Sequence, residues 1–322
     1  MIYFLGIDGG GTKTEALVGT ADGAIVGRGI AGPSNPIFIE KASAFDNIGK
    51  SIKLALKGHS RETYFSSAAI CIPGIKRYRD ELEAQLLKDC TKVYIDGDEL
   101  NAFCGALAKP YGVIVLAGTG SFAMGINKKG EKAEMGGWGP IIGDEGSGYY
   151  IGVSGLRAVV KEFEGTGVKT SLTPRIMEAL KLKNIEDLRR NIHSDGPGRN
   201  VIGGLSKLVQ ESASEGDEAS VEIVNTAAMH LADLAIRVIK RLHMYDGEYD
   251  AALTGGVSNF GDMILDPFTE RLRKERAGIH VVKPRFVPAV GALMIAMRES
   301  GIDVYDKSVL NHLSVTYKSL SS

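Results

Sequence analysis

Nine residues near the amino terminus, Gly6-Ile-Asp-Gly-Gly-Gly-Thr-Lys-Thr14, constrain the fold more than any other part of this sequence. A short apolar run, Ile2 to Leu5, precedes them, and Glu15 to Thr20 leads on into the turn pair Asp22-Gly23. The segment therefore reads as strand, glycine-rich turn, strand, with a second hairpin turn following. Three successive glycines let backbone pass close to an anion without Cβ interference, while Thr12 and Lys13 add a hydroxyl and a positive charge. A P-loop would place Lys directly after its last glycine and run into a helix, but here Thr12 intervenes and the next residues are strand-like. The dinucleotide fingerprint also requires a following helix. What remains is a hairpin loop for phosphate, with Asp8 at its base as a carboxylate for Mg²⁺ held through water. The alternative is a tight hairpin whose glycines merely permit φ > 0.

Downstream, Gly32-Pro-Ser-Asn-Pro36 is a loop by composition, in which Asn35 either grips a substrate hydroxyl or forms a turn. Phe45, Ile48, Ile52 and Ala55 recur at helical spacing, with Gly58 as a stop. A buried strand at Ala68 to Ile72, a charged helix over about Tyr78 to Lys88 and a strand at Lys92 to Ile95 come next. This order fits an α/β layer with a mixed sheet. That last strand enters Asp96-Gly-Asp-Glu99 and a helix-like stretch to Leu107. Acids at the carboxyl end of a strand lie where open α/β sheets bind ligands, although Asp96 or Asp98 is equally suited to an N-cap.

The pattern then repeats. Tyr111 to Leu116 is a buried-type strand, Ala117-Gly-Thr-Gly-Ser121 a glycine-hydroxyl turn, Phe122 to Ile126 a strand and Asn127 to Gly130 a hairpin turn. Two copies imply two pseudo-equivalent domains with one phosphate chain held between them. Gly136-Gly-Trp-Gly139 and Gly143-Asp-Glu-Gly-Ser147 suggest backbone packed against a small ligand. Trp138 is a candidate to stack on a sugar ring or to anchor the core. Asp144 is a candidate for a hydroxyl, for the metal, or for a helix cap near Tyr149. Residues 150 to 245 read as mostly helical. The longest helix runs from Asp217 to about Met244 on an apolar stripe of Val221, Val224, Ala228, Leu231, Ala235, Val238 and Leu242. Thr166 to Thr173 and Asp195 to Arg199 read as surface loops. A strand at Tyr249 to Leu253 enters Thr254-Gly-Gly-Val-Ser-Asn-Phe-Gly261, whose double glycine suits a flat ring such as adenine. A final strand at Ile279 to Val282 precedes an apolar helix at Pro288 to Met297.

Composition narrows the function classes. At 322 residues, 44% hydrophobic and 24% charged, the chain can bury a large core, in two domains. A net charge of -1 gives no reason to expect nucleic acid or an acidic membrane as partner. No apolar run approaches the roughly 18 residues of a membrane helix. With the first loop starting at Gly6, no signal peptide or upstream DNA-binding module is expected. Cys71, Cys90 and Cys104 lack metal spacing and read as buried thiols in a reducing cytoplasm.

Asp8 to Thr14, Gly118-Thr-Gly-Ser121, Gly137-Trp-Gly139 with Gly143 to Ser147, Thr254-Gly-Gly-Val257 and Pro288-x-x-Gly-Ala292 together resemble one family, in order and over nearly the whole chain. It is the N-acetylglucosamine kinase and BadF/BadG-type ATPase family of the actin, Hsp70 and sugar-kinase superfamily. The resemblance implies a two-domain, ribonuclease-H-like α/β fold with mixed sheets and an interdomain cleft that closes on Mg-ATP. The expected domains are 1–111, joined by the C-terminal helix at about 288–322, and 112–287 with a helical insertion. By the same resemblance Gly9, Gly10, Gly11, Thr12, Lys13, Gly118, Thr119, Gly120 and Ser121 hold phosphates, Asp8 serves the metal, and Gly255, Gly256, Val257 and Asn259 contact adenosine. Asn35, Gly137, Trp138 and Asp144 are implied sugar contacts. The family's catalytic aspartate, often within Asn-Asp-Ala, falls on Gly97-Asp98-Glu99, which makes Asp98 the expected base and Asp96 the runner-up.

The implied activity is ATP-dependent phosphorylation of a sugar hydroxyl, N-acetylglucosamine kinase-like or hexokinase-like, in the cytoplasm, with a small-molecule sugar as partner and room for a homodimer. One alternative is a kinase of a sugar acid such as 2-keto-3-deoxygluconate. The other is a nucleotide-driven switch or activator without a sugar substrate, although the three cysteines do not supply the cluster ligands that radical-enzyme activators need.

Overall fold

The computed structural model describes residues 2–58, 64–193 and 196–321. The chain divides into two compact units, Met1–Pro110 with Pro284–Ser322, and Tyr111–Lys283. Unit 1 opens with three strands, β1 (Tyr3–Gly9), β2 (Thr14–Thr20) and β3 (Ile25–Ala31). There follow α1 (Lys41–Ala55), β4 (Phe65–Cys71), α2 (Arg79–Leu86), β5 (Lys92–Asp96) and α3 (Glu99–Leu107). Unit 2 holds β6 (Gly112–Ala117), β7 (Ser121–Ile126) and β8 (Lys132–Gly136), then the helices α4 (Gly148–Phe163), α5 (Leu172–Ala179), α6 (Ile185–His193), α7 (Arg199–Gly204), α8 (Ser206–Ser214) and α9 (Glu218–Arg241). It closes with β9 (Tyr249–Thr254), α10 (Asp262–Glu275) and β10 (Ile279–Val281). The chain returns to unit 1 as α11 (Pro288–Glu299) and α12 (Lys307–Ser321).

The two sheets are copies in topology. Unit 1 has the order β3-β2-β1-β4-β5 and unit 2 the order β8-β7-β6-β9-β10. In each, two hairpins join three antiparallel strands, and two further strands add in parallel beside the first. The repeat seen in the sequence as strand, glycine turn, strand thus extends to the whole sheet. The strands β3 and β8 are the ones the sequence reading leaves unnamed beyond the turns before them.

Helices cover the unit 1 sheet on both faces, α1 against β2 and β3, α11 against β1, β2 and β4. All seven residues of β2 are consequently buried, and its middle, Ala16 to Gly19, is an unbroken apolar run instead of an alternation. The close seat of α11 depends on glycine. A Cβ on Gly6 would lie 2.2 Å from the Leu293 nitrogen, and one on Gly291 would lie 1.9 Å from the Asn101 carbonyl oxygen. The Pro288-x-x-Gly-Ala292 motif is therefore a packing device that seats α11 against α3 and β1.

In unit 2, α9 lies along β6, β7 and β8. Asp217 caps it by accepting from the Ser220 N–H at 2.9 Å, and its expected apolar stripe is buried except at Val221, which is exposed. Of the segment expected to be a loop at 195–199, Asp195 lies outside the described residues and Arg199 begins α7. Cys71 and Cys104 are buried free thiols, whereas Cys90 is half-exposed. Among the described residues no helix is long and apolar enough to cross a membrane.

Candidate active site

The first glycine turn connects β1 to β2, whose last rung pairs Gly9 with Thr14. The Gly10 N–H donates to the Lys13 carbonyl at 3.1 Å and closes the turn. None of Gly9, Gly10 and Gly11 adopts a positive φ, so left-handed backbone is not what these glycines provide. Gly9 is glycine for packing, since its Cβ would fall 2.1 Å from Ser34 Oγ. At Gly10 nothing lies within 4 Å of an added Cβ, and at Gly11 the nearest atom is a Phe38 ring carbon at 3.6 Å. The protein's own packing does not require those two to lack side chains. An anion resting on their backbone would.

The loop at residues 32–36 is fastened to this turn. The Gly10 carbonyl accepts from the Ser34 and Asn35 N–H groups at 3.0 and 3.2 Å, and Thr14 Oγ1 donates to the Gly32 carbonyl at 2.7 Å. Asn35 is buried, and its Oδ1 accepts from the Ile37 N–H at 2.9 Å, the bond of a turn-former.

Three parallel strands end beside the turn. The register Asp8↔Cys71 and Cys71↔Asp96 aligns the carboxyl ends of β1, β4 and β5. The two candidate bases differ in their partners. Asp96 accepts from the Gly97 N–H at 3.0 Å and pairs with Lys76 at 3.3 Å. Asp98 occupies the position before α3 yet makes no capping hydrogen bond. Half-buried, with Glu99 adding like charge, its carboxyl is pushed up to about 6. Asp8 goes further, to about 7: burial raises it most, the Asn101 hydrogen bond lowers it, and the charges of Asp98 and Glu15 raise it again. Among the described residues Asp8 has one hydrogen-bond donor, Asn101 Nδ2, at 2.8 Å from Oδ1, and no ion pair. The fully buried Asn101 leaves its own Oδ1 without a partner.

Glu15 stands beside Asp8 and is its electrostatic opposite. Burial would raise its pKa, but hydrogen bonds from Lys13 at 2.7 Å and Arg28 at 2.8 Å outweigh this and hold it below the usual range. The Tyr317 hydroxyl of α12 adds a third bond at 3.0 Å.

No group of three potential metal-ligating His, Cys, Asp or Glu side chains exists among the described residues. Asp8 alone suits Mg²⁺, which typically keeps several waters and takes one or two carboxylates plus substrate phosphates.

In unit 2 the turn Gly118 to Ser121 rests on the segment that follows β8. The Gly118 carbonyl accepts from the Gly148 N–H at 2.8 Å, and Ser121 Oγ donates to the Glu145 carbonyl at 2.8 Å. Asp144, buried and with φ of 63°, accepts from the Ser121 N–H at 3.1 Å through Oδ1 and binds Arg199 through Oδ2. It does not cap α4; Ser147 does, accepting from the Tyr150 N–H at 3.1 Å. Trp138 is 73% exposed and is no core anchor. Gly137 beside it adopts φ of 74°. A Cβ on Gly255 would lie 2.5 Å from the Ala117 carbonyl oxygen, which ties the double glycine to the start of the second turn. Gly256 has nothing within 4 Å of an added Cβ, Val257 is buried in the core, and the Asn259 carbonyl accepts from Gln210 at 3.2 Å.

The match to known proteins covers these same segments. The model of the BadF/BadG/BcrA/BcrD ATPase family matches residues 5–296. The chain belongs to that family. Within reach of it, the N-acetylmuramic acid/N-acetylglucosamine kinase of Clostridium acetobutylicum is 33% identical over 306 residues, 93% of this chain and 99% of the relative. The N-acetyl-D-glucosamine kinase of Dictyostelium discoideum is 31% identical over 310 residues, 91% of this chain and 97% of its own length. A Chromobacterium violaceum protein with a provisional N-acetylglucosamine kinase assignment shares the fold, at a TM-score of 0.73 and 22% identity over 92% of this chain and 99% of that one.

For this family member, sequence reasoning missed Asn101, Glu15, Arg28 and Arg199. The one signal for Glu15 was a charge set inside an otherwise apolar strand.

Proposed function

We propose that this chain is an ATP-dependent sugar kinase that transfers the γ-phosphoryl group of ATP to a hydroxyl of an N-acetylated amino sugar. The observation that carries the reading is Asp98: a half-buried carboxylate without a cation partner among the described residues, electrostatically coupled to Asp8 and beside a glycine turn whose openness the protein itself does not need. Relatives matched over nearly their full length carry amino-sugar kinase names, which does not favour a sugar-acid kinase or a sugar-independent switch.

In this reading Asp98 accepts the proton of the sugar hydroxyl as that oxygen bonds to the γ-phosphorus and ADP leaves. The backbone of Gly9 to Gly11, with Thr12 and Lys13, is proposed to hold phosphate oxygens, and Gly118 to Ser121 are further phosphate-binding candidates. A divalent cation, when bound at Asp8, supplies positive charge to those oxygens. Asp98 is preferred to Asp96 because Lys76 already neutralises Asp96. Asn35, Gly137, Trp138 and Asp144 are proposed around the sugar and Gly255, Gly256 and Asn259 around adenosine. Since phosphoryl transfer asks little covalent chemistry of a protein, holding these groups in place carries most of the acceleration.

The test is ADP release over N-acetylglucosamine, N-acetylmuramic acid, glucosamine, hexoses and sugar acids. Sugar-dependent turnover strongest with an N-acetylated substrate is expected. ATP hydrolysis indifferent to every sugar would overturn the reading.

A further inference from the structure

Asp8 and Glu15 are partners across one rung of the β1–β2 ladder. In such a pair both side chains leave the same face of the sheet with Cβ atoms roughly 5 Å apart. Two cations lie near them, and Glu15 holds both: Lys13 Nζ on Oε2 and Arg28 Nε on Oε1. Asp8 holds neither, although the Lys13 charge reaches it. The Lys13 side chain is 53% exposed on a flexible stem, so solvent leaves it room to turn, while Glu15 at 2% exposure is fixed by Arg28 and by Tyr317 from α12.

We infer that Glu15 is a positioning residue that parks the Lys13 ammonium away from Asp8 and so keeps the Asp8 carboxylate open to a divalent cation. Without that anchor, the ammonium turns to Asp8, the rung partner of Glu15 that its charge already reaches. A metal ion must then displace an ion pair before it binds. The inference rests on the reading of Asp8 as the cation's carboxylate, and it assigns Glu15 a role in metal occupancy that stability alone would not require.

The probe is Mn²⁺, titrated with ADP present and followed by water-proton relaxation, which separates protein-bound Mn²⁺ from Mn²⁺ on free nucleotide. Glu15→Gln is expected to bind Mn²⁺ about tenfold more weakly than the unaltered protein, a coupling of the size measured for neighbouring residues. Adding Lys13→Ala removes the competitor, so the double variant returns to the Mn²⁺ affinity of Lys13→Ala alone. Because Glu15→Gln strips Arg28 of its partner and risks the fold, Glu15→Asp serves beside it. It keeps the buried charge but falls short of Lys13, and is expected to weaken Mn²⁺ less, again reversibly by Lys13→Ala. Unchanged Mn²⁺ affinity in the Glu15 variants, or a double variant that binds Mn²⁺ more weakly than Lys13→Ala alone, would overturn the inference. Asp8→Ala forms a separate arm: if it binds Mn²⁺ as well as the unaltered protein, the assignment of Asp8 itself falls, whatever Glu15 does.

Discussion

Asn101 donates to Asp8 through its side-chain nitrogen at 2.8 Å, while its own Oδ1 stays buried without a partner. Leaving a buried acceptor unsatisfied costs about 1–3 kcal/mol, and a leucine of similar size would avoid that cost. What the asparagine provides in return is a fixed orientation for Asp8, the one carboxylate of its rung that no cation neutralises.

Asn101→Leu should accordingly leave thermal stability within about 1 kcal/mol of the unaltered protein, because one orphaned acceptor disappears as the bond to Asp8 and the long one to the Pro288 carbonyl at 3.4 Å are lost. It should raise the Mg²⁺ concentration for half-maximal turnover by roughly tenfold, since Asp8 loses both its alignment and the bond that favours its charged form. Steady-state assays over Mg²⁺, paired with thermal melts, check the two halves.

As the proposed base, Asp98 has to be ionised to accept a proton, and its carboxyl is held at about 6. The kcat/KM for the sugar should thus fall about tenfold per pH unit below 6 and level off above 7. N-acetylglucosamine is a suitable substrate, since its amide does not titrate over that range. Asp98→Asn should remove the acid limb along with several orders of magnitude of turnover, while nucleotide affinity measured without sugar stays nearly unchanged.

The raised pKa of Asp8 also has a stability sign. Its carboxyl sits at about 7 in the folded chain against an ordinary 3.8, so between those values the folded state keeps a proton that the unfolded state has released. Stability from this group is therefore greatest below pH 4 and is lost as pH rises towards 7. Asp8→Asn, which removes the titration, should raise unfolding free energy by on the order of 4 kcal/mol at pH 8 and by little at pH 4. Denaturant melts at the two pH values decide it; a stabilisation that is the same at both would contradict the linkage.

Local patterns carried most of the fold into the sequence. Strand, glycine turn and strand lie within eighteen residues of one another, so both hairpins and their repetition can be read directly, and the repeat turns out to extend to the sheet order of each unit. The strand β8, Lys-Ala-Glu-Met-Gly, carries too little β-branched or apolar character to announce itself. The side-chain partners were beyond reach for a different reason. Asn101 meets Asp8 across 93 residues and Arg199 meets Asp144 across 55, and no spacing rule connects such pairs. Asp8, Asp98 and the glycines were visible because each belongs to a short motif; which carboxylate lacks a cation became visible only once Lys76, Lys13 and Arg28 had positions.

Adjacent glycines in the first turn should respond to alanine in opposite ways. At Gly9 the new methyl would meet Ser34 Oγ at 2.1 Å and Ile72 at 2.9 Å, inside a packed loop, so Gly9→Ala should cost about 1–3 kcal/mol of stability. At Gly10 the methyl meets nothing within 4 Å and the backbone is not left-handed, so the fold accepts it. Reduced freedom in the unfolded chain should even stabilise Gly10→Ala by about 0.4–1 kcal/mol. If the open face of Gly10 is there for a phosphate, that same methyl occupies the anion's place, and the KM for ATP should rise at least about tenfold while the KM for the sugar changes little. A Gly10→Ala protein that melts higher yet binds ATP normally would show that the turn is glycine-rich for some purpose other than holding nucleotide.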